Sequence, residues 1–190
     1  MKLKLVLHPN EWLEKKVKPF DFNTLDAKDI EKQMIDIMEK NAGVGLSANQ
    51  VGLDGQIFIL KPHEMEGYDK SFAIINPEII KIDDRVIEGE EGCLSYPGLY
   101  FKVKRATALV AKCLDSAGKE CTIEFVGYNA RIFQHEYDHL QGINFTDRVS
   151  KLRLDMAKKK QKKALIKAQI YKEQEEEREK QMKFGQSLIV

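Results

Sequence analysis

The sequence predicts an α+β fold in which antiparallel β-sheets pack around a central α-helix, with one helix before the strands and a long helix after them. Two segments show helical spacing, and the residues between them form short alternating runs separated by turns. A block of strands flanked by helices is typical of α+β domains rather than of alternating β-α-β units. A chain of 190 residues is long enough to bury one full core. Residues 1–150 are therefore expected to form one domain, and residues 151–190 a charged helical extension.

The first helix is predicted between Leu25 and Lys40. Starting at Ile30, its apolar residues recur at i, i+4, i+7 and i+8, which is one face of a helix. Asn23 or Thr24 is the expected N-cap, and Gly43 lies beyond the end of the helix.

The middle of the chain predicts a series of strands and hairpins. The segment GVGLSANQVG is rich in glycine and predicts a loop or strand entry before the buried strand QIFIL. Six further short segments are β-branched or alternating and are separated by Pro, Gly, Asp or charged turns, as antiparallel strands are. They are FAIINP, EIIKI, RVIEGE, LYFKVK, ATALVAKCLD and CTIEFVG.

Helical spacing returns between Ala130 and Gly142, which predicts the central helix. From Lys151 to Met182 the chain is almost free of Gly and Pro and rich in Lys, Glu, Gln and Ala. This composition predicts the long C-terminal helix.

The overall composition excludes several classes of protein. A net charge of +1 argues against a whole surface built to hold nucleic acid, so no DNA partner is expected, although a local basic patch stays open. No apolar run approaches the roughly 18 residues of a membrane span. Three cysteines in a chain of this length do not predict a disulfide framework. A cytoplasmic protein without a membrane partner is expected, and an organellar or viral origin stays open.

Two of the four histidines, His135 and His139, lie in the central helix with Glu136 directly after the first. They are about 40° apart around the helix axis and about 6 Å apart along it, so both imidazoles can reach one metal ion. Glu136 can then take a proton from a water at the metal. An ordinary helix face with two imidazoles is the alternative, but the HExxH spacing favours a metal site.

A catalytic site of this kind usually has a third protein ligand. The extended protease motif HExxHxxGxxH fails here, because Phe145 occupies the position of its last histidine. A downstream glutamate would have to be Glu173 or a later residue, in a charged segment that offers no distinct candidate. Cys93 is the remaining strong donor, with a thiolate suited to a borderline-soft divalent metal.

Three separated motifs together resemble the signature motifs of the peptide deformylase family, in the same order and at similar separation. They are GVGLSANQ (43–50), EGCLS (91–95) and QHEYDH (134–139), and the resemblance spans residues 43–142. It implies that the metal is Fe²⁺, for which Zn, Ni or Co can substitute, and that Glu136 is the general acid and base. The implied metal ligands are Cys93, His135 and His139.

The resemblance also implies a substrate, the nascent N-formylmethionyl peptide, which is hydrolysed to formate and a free amine. It implies that the Gln50 side chain and the Leu94 backbone N–H hold the oxyanion. From Gln50 alone, a buried amide that completes a loop is as good an interpretation.

The remaining site predictions concern substrate binding. Gly43 and Gly45 let an extended peptide pair along the chain, although an ordinary helix-to-strand turn explains them too. Gly92 permits close approach. Glu91 either orients a metal ligand or Arg105, or is a surface carboxylate, which is the simpler local interpretation. Three residues are expected around the methionine side chain of the substrate, although core packing also explains the last two: Val44, Tyr128 and Ile132.

Two departures from the family pattern stand out. Ser47 stands where alanine is common in the family and is expected to matter little for the chemistry. Gly98, Leu99 and Tyr100 stand where many bacterial members carry polar or basic residues, so the substrate preference is expected to differ but the reaction is not.

A basic run, KKKQKK (158–163), is by itself most typical of a solvated helix, and the family resemblance implies a contact of this C-terminal helix with ribosomal RNA. Two other functions remain open: an HExxH metallopeptidase, and a catalytically inert, ribosome-associated metal-binding module.

Overall fold

A computed structural model describes residues 2–163 and confirms the α+β class. In this part of the chain the α-helices are α1 (Ala27–Lys40) and α2 (Gly127–Leu140), and residues 151–163 are also helical. Short 3-10 helices span Glu11–Glu14, Ala48–Val51 and Phe145–Arg148. The strands are β1 (Gly45–Ser47), β2 (Ile57–Leu60), β3 (Phe72–Ile82), β4 (Val86–Gly92), β5 (Tyr100–Ala106), β6 (Ala108–Leu114) and β7 (Glu120–Val126).

The strands form two antiparallel sheets around helix α2. One sheet has five strands in the order β1-β2-β3-β6-β7, and the other is the hairpin β4-β5. Helix α2 contacts β1, β2 and β7 of the first sheet and β5 of the second. The core includes Phe58, Phe125 and Phe133, which are fully buried. Because α2 lies between the two sheets, its side chains can meet residues from both.

Helix α1 begins two residues later than the sequence suggests. Asp26, not Asn23 or Thr24, is the N-cap, and its carboxylate accepts hydrogen bonds from the backbone N–H groups of Lys28 and Asp29, each at 3.1 Å. All three are good capping residues, so local preference does not choose among them. Asn23 and Thr24 instead form a turn on Asp21.

Strand β3 corrects a second prediction, since FAIINP and EIIKI form one irregular strand and not two. Asn76 has a φ of 48°, and the register with β6 shifts between Ile75 and Glu78. Pro77 has no N–H to give the ladder, and such residues are tolerated at bulges. The Asn76 side chain bonds the backbone N–H and C=O of Phe20, at 2.7 and 3.1 Å, which stabilises the bulge.

Two side-chain amides fix helix α2 against its neighbours. Gln134 accepts from the N–H of Ala106 and donates to its C=O, both at 3.0 Å, as a neighbouring strand would do. Asn129 makes the same pair of bonds to the backbone of His63. The helix begins at Gly127 and ends at Leu140, so it starts and stops earlier than predicted, and Gly142 follows with a φ of 75°.

The chain divides into two units after Val149. In the second unit the described helix covers residues 151–163, and the part of the predicted C-terminal helix from residue 164 onward lies outside the described residues. Among the described residues, no helix combines the length and apolar character that crossing a membrane requires.

Candidate active site

Three potential metal-binding side chains converge between helix α2 and the end of strand β4. Cys93 follows directly after β4, and His135 and His139 are one turn apart on α2. Their donor atoms all lie within 4.8 Å of one another, and the Cys93 Sγ is 3.3 Å from Nε2 of His139. The three residues that the resemblance implied as ligands are therefore in one cluster.

Each of the two histidines has one ring nitrogen that is available to bind a metal ion together with Cys93. Nδ1 of His135 lies 3.0 Å from the Glu91 carboxylate, so Nε2 is the ring nitrogen left to bind a metal at the cluster once it has lost its proton. His139 is fully buried, and burial lowers the pKa of its imidazole well below the usual value, so the ring is neutral. One thiolate sulfur and two imidazole nitrogens are a donor set that suits a divalent transition metal. These residues therefore fit the Fe²⁺ ion that the family resemblance implies.

Glu91 is the centre of a buried ion-pair network and is not the surface carboxylate considered above. Both of its oxygens accept from Arg105 at 2.9 Å, and Oε1 also accepts from Arg131 at 2.7 Å. Burial alone would raise the pKa of the Glu91 carboxyl, but hydrogen bonds from Arg105 and His135 outweigh it and lower the pKa to about 2. Glu91 therefore remains ionised and holds the His135 ring in place.

The ion-pair network extends through Asp138, away from Cys93 and the two histidines. Asp138 accepts from Arg105 and from Arg148, both at 2.5 Å. Because Asp138 lies on α2 and Arg148 in the following 3-10 helix, these bonds join the helix to the segment after it.

Arg131 is a site residue that the sequence analysis missed. Its guanidinium donates to the backbone C=O groups of Ile87 and Val103, both at 2.9 Å, as well as to Glu91. A Cβ on Gly89 would lie 2.7 Å from the Arg131 guanidinium, so only glycine leaves room for it. Arg131 thus fixes the β4-β5 hairpin, and with it Cys93, to helix α2. Its position one helical turn before His135 was the available signal.

Glu136 lies between the two histidines in sequence and is almost fully buried. Burial raises the pKa of its carboxyl above the usual value. The Ser47 hydroxyl donates to Oε2 of Glu136 at 2.6 Å, and the α-carbon of Gly45 is close to Oε1. The first and third motifs therefore meet at this carboxyl.

Gln50 uses the two ends of its amide differently. Its Oε1 accepts from the backbone N–H of Ser47 at 2.8 Å, which completes the turn between β1 and the following 3-10 helix. Its Nε2 faces the Cys93 Sγ at 3.2 Å and the Ser95 Oγ at 3.1 Å. The Gln50 side chain therefore stabilises the turn through its oxygen and places its N–H donor beside the proposed ligand Cys93.

A cleft of about 550 Å³ opens over the cluster. Val44 and Tyr128 are partly exposed in its wall, whereas Ile132 is buried. His139 is fully buried and is not among the residues that line the cleft. The other predicted site residues all line it: Gly43, Val44, Gly45, Gln50, Glu91, Gly92, Cys93, Leu94, Tyr128, Ile132, His135 and Glu136.

Phe145, where the protease motif would place a histidine, forms an apolar wall beside the cluster. It is 1% exposed, and its ring centroid is 5.8 Å from that of His135. It also contacts the rings of Tyr96 and Phe101. The position therefore packs the site and cannot ligate a metal.

Gly45→Ala should damage the site more than Gly43→Ala. A Cβ on Gly45 would overlap the Glu136 carboxyl, whereas one on Gly43 meets the flexible end of Leu94 at 2.7 Å. Because a misplacement of about 1 Å can cost on the order of 10²-fold in rate, we expect kcat of Gly45→Ala to fall by roughly that factor. Steady-state kinetics of both variants at equal metal content test this, and equal losses would contradict it.

The fold and the cluster define a class: an α+β protein in which an HExxH helix and a cysteine form one candidate metal-binding site. Residues 2–155 match the profile of the family described as polypeptide deformylase. The chain belongs to the polypeptide deformylase family, which confirms the resemblance seen in the three motifs.

Similar proteins support the assignment. Peptide deformylase from Borreliella burgdorferi is 39% identical over 76% of this chain and 86% of the relative. Peptide deformylase 1B, chloroplastic/mitochondrial, from Arabidopsis thaliana is 40% identical over 80% of this chain, which spans only 56% of that relative's length. The crystal structure of a peptide deformylase from Legionella pneumophila superposes with a TM-score of 0.77 at 35% identity, covering 87% of this chain and 96% of the other.

Proposed function

We propose that this protein removes the formyl group from the N-terminal formylmethionine of newly synthesised polypeptides. Water adds to the formamide carbon, the C–N bond breaks, and the products are formate and a free amine. The observation that carries the proposal is the convergence of Cys93, His135, His139 and Glu136 at the base of one cleft, in a chain of the deformylase family.

Cys93, His135 and His139 would hold one metal ion, for which we propose Fe²⁺. A bound divalent metal would polarise the formyl oxygen and make a water more acidic. The same sulfur and nitrogen donors accept Zn, Ni or Co, so these ions can take its place.

Glu136 is proposed as the general acid and base. Its carboxylate takes a proton from the attacking water and later delivers that proton to the departing amine nitrogen. Its burial supports both steps, because a raised pKa makes the carboxylate a stronger base towards the water and lets the protonated form persist until the departing amine takes the proton.

Gln50 and Leu94 are proposed to stabilise the negative charge that develops on the formyl oxygen. The Gln50 Nε2 already faces the cluster, and a neutral amide donates without titrating. The backbone N–H of Leu94, directly after Cys93, is the second proposed donor.

The peptide itself is proposed to bind as an added strand along Gly43–Gly45. In the described sheet β1 pairs with β2 on one side and stands at the sheet edge, so its outer backbone groups can pair with an extended chain. A Cβ on Gly92 would lie 2.6 Å from the Tyr100 ring, so glycine lets that ring pack closely against the end of β4 in the cleft wall, where Glu91 is paired with Arg131. The methionine side chain would contact Val44, Tyr128 and Ile132.

The two parts of the chain are proposed to have separate roles, with residues 1–150 catalytic and residues 151–190 an extension that contacts the ribosome. The exposed lysines in the basic run 158–163 support an RNA contact. Unchanged ribosome affinity after deletion from Lys158 onward would refute it. A cytoplasmic site of action is proposed, and a plastid or mitochondrial one is consistent with the names of the plant relatives.

Neither alternative function gains an observation in its favour. The HExxH peptidases considered above use a histidine or a glutamate as third ligand, where this chain has Cys93. A catalytically inert metal-binding module would not need Glu136 buried beside the two histidines.

Cys93→Ser is expected to lower metal retention by at least about tenfold, since a hydroxyl is a much poorer ligand than a thiolate for these metals. Metal per chain after anaerobic purification is the measurement. Cys121→Ser is the matched control, because Cys121 lies on β7 away from the cluster, and its metal content should equal that of the wild type. Equal metal in Cys93→Ser would assign the third ligand elsewhere.

The direct test of the proposed function is formate release from an N-formylmethionyl peptide by the metal-loaded protein.

A further inference from the structure

Ser47 makes a contact that links the first motif to Glu136. Its side chain is fully buried, and its Oγ lies 2.6 Å from Oε2 of Glu136 and 2.9 Å from the backbone oxygen of the same residue. Ser47 and Glu136 are 89 positions apart in the chain, so only the fold brings them together. An alanine at position 47 would remove the hydroxyl and both contacts.

These contacts distinguish the two oxygens of the Glu136 carboxyl. Oε2 is held by Ser47, whereas Oε1 lies against the α-carbon of Gly45, on the side that lines the cleft. A buried carboxyl with one oxygen bonded and the other against glycine has little freedom to rotate. The arrangement fixes the orientation of the carboxyl group at the cleft.

A hydroxyl is also suited to a carboxyl that takes up and returns a proton. Ser47 has one hydrogen to donate and two lone pairs that accept. It can donate to the carboxylate, or donate to the Glu136 backbone oxygen while accepting from the carboxylic acid. Both arrangements use distances that are already present.

We propose that Ser47 is a positioning residue for the deformylation reaction, which orients the Glu136 carboxyl through the hydrogen bond to its Oε2. The proposal deepens the proposed function and rests on it. It gives a role to a substitution that the family resemblance alone predicts to matter little.

The first test is a double-mutant cycle in kinetics with Ser47→Ala, Glu136→Ala and the double variant. A hydrogen bond to a charged group is worth enough that Ser47→Ala should lower kcat by roughly tenfold with KM unchanged. In the Glu136→Ala background, removing the Ser47 hydroxyl should leave the residual rate unchanged. A merely structural role would lower the rate by the same factor in both backgrounds and would overturn the proposal, as would a Ser47→Ala enzyme with wild-type kcat.

Ser71→Ala is the matched control, because the Ser71 Oγ is buried and has no hydrogen-bond partner among the described residues. Its kcat should equal that of the wild type.

A second readout does not depend on activity and separates this proposal from the proposed function. In urea unfolding of the four proteins of the cycle at equal metal content, Ser47→Ala should raise the unfolding equilibrium constant by roughly tenfold when Glu136 is present. When Glu136 is replaced by alanine, the effect should be several-fold smaller. Equal effects in both backgrounds would refute the contact. If the wild type releases no formate but the unfolding experiment still shows coupling between Ser47 and Glu136, the proposed deformylation and the positioning role of Ser47 in it are both refuted. The hydrogen bond between the two residues would still be supported in that case.

Discussion

Glu136→Gln is expected to lower kcat for formate release by about 10²- to 10⁴-fold, the usual contribution of a general acid or base. Glutamine keeps the size and the Ser47 contact of the side chain but can neither accept the proton of the attacking water nor return it. Because Glu136 is not among the three proposed ligands, metal content should match the wild type. Steady-state kinetics with metal analysis of the same preparation make the measurement.

The matched control for Glu136→Gln is Glu124→Gln, an exposed carboxylate on strand β7. Its kcat should equal that of the wild type. A Glu136→Gln enzyme within threefold of the wild-type rate, at full metal content, would remove Glu136 from the proposed proton transfers.

Glu91→Gln is expected to destabilise the fold by about 3–5 kcal/mol, because it leaves two buried guanidinium groups without their shared carboxylate. Arg105 and Arg131 both pair with Glu91, and all three side chains are less than 10% exposed. Denaturant unfolding at neutral pH measures the loss. Glu88→Gln on the same strand is exposed and should change the free energy of unfolding by no more than about 0.5 kcal/mol.

The effect of Glu91→Gln should also depend on pH. The pKa of the Glu91 carboxyl falls from a usual value of 4.5 to about 2 on folding, so its stabilising contribution is complete above pH 4.5. The contribution is lost as the pH falls through the folded pKa, and the difference between wild type and variant should narrow from pH 4.5 towards pH 2. A difference that stays constant over this range would show that Glu91 is not stabilised as an anion.

Local patterns were enough to identify the parts of the site that sit within single motifs. The helical spacing of His135 and His139 and the motif around Cys93 predicted a cluster that the fold assembles. The strands and both α-helices were also predicted, because apolar periodicity follows directly from which faces are buried.

Features that depend on contacts between distant segments were not predictable in this way. The role of Arg131 requires Gly89 on another element, and the contact of Ser47 requires Glu136 far along the chain. Asp26 was missed as N-cap because its neighbours are equally good capping residues. The bulge at Asn76 was predicted as a boundary between two strands, because Pro77 usually signals a turn. The strand continues here because the Asn76 side chain bonds the backbone of Phe20.

The most direct test of the proposed deformylase activity is to analyse the products of an N-formylmethionyl peptide incubated with anaerobically purified, iron-loaded protein. Mass spectrometry and a formate assay should find one formate for each free N-terminal methionine, with every internal peptide bond intact. Metal-loaded protein that releases no formate, or that cleaves an internal amide bond instead, would contradict the proposal that this cleft deformylates nascent peptides.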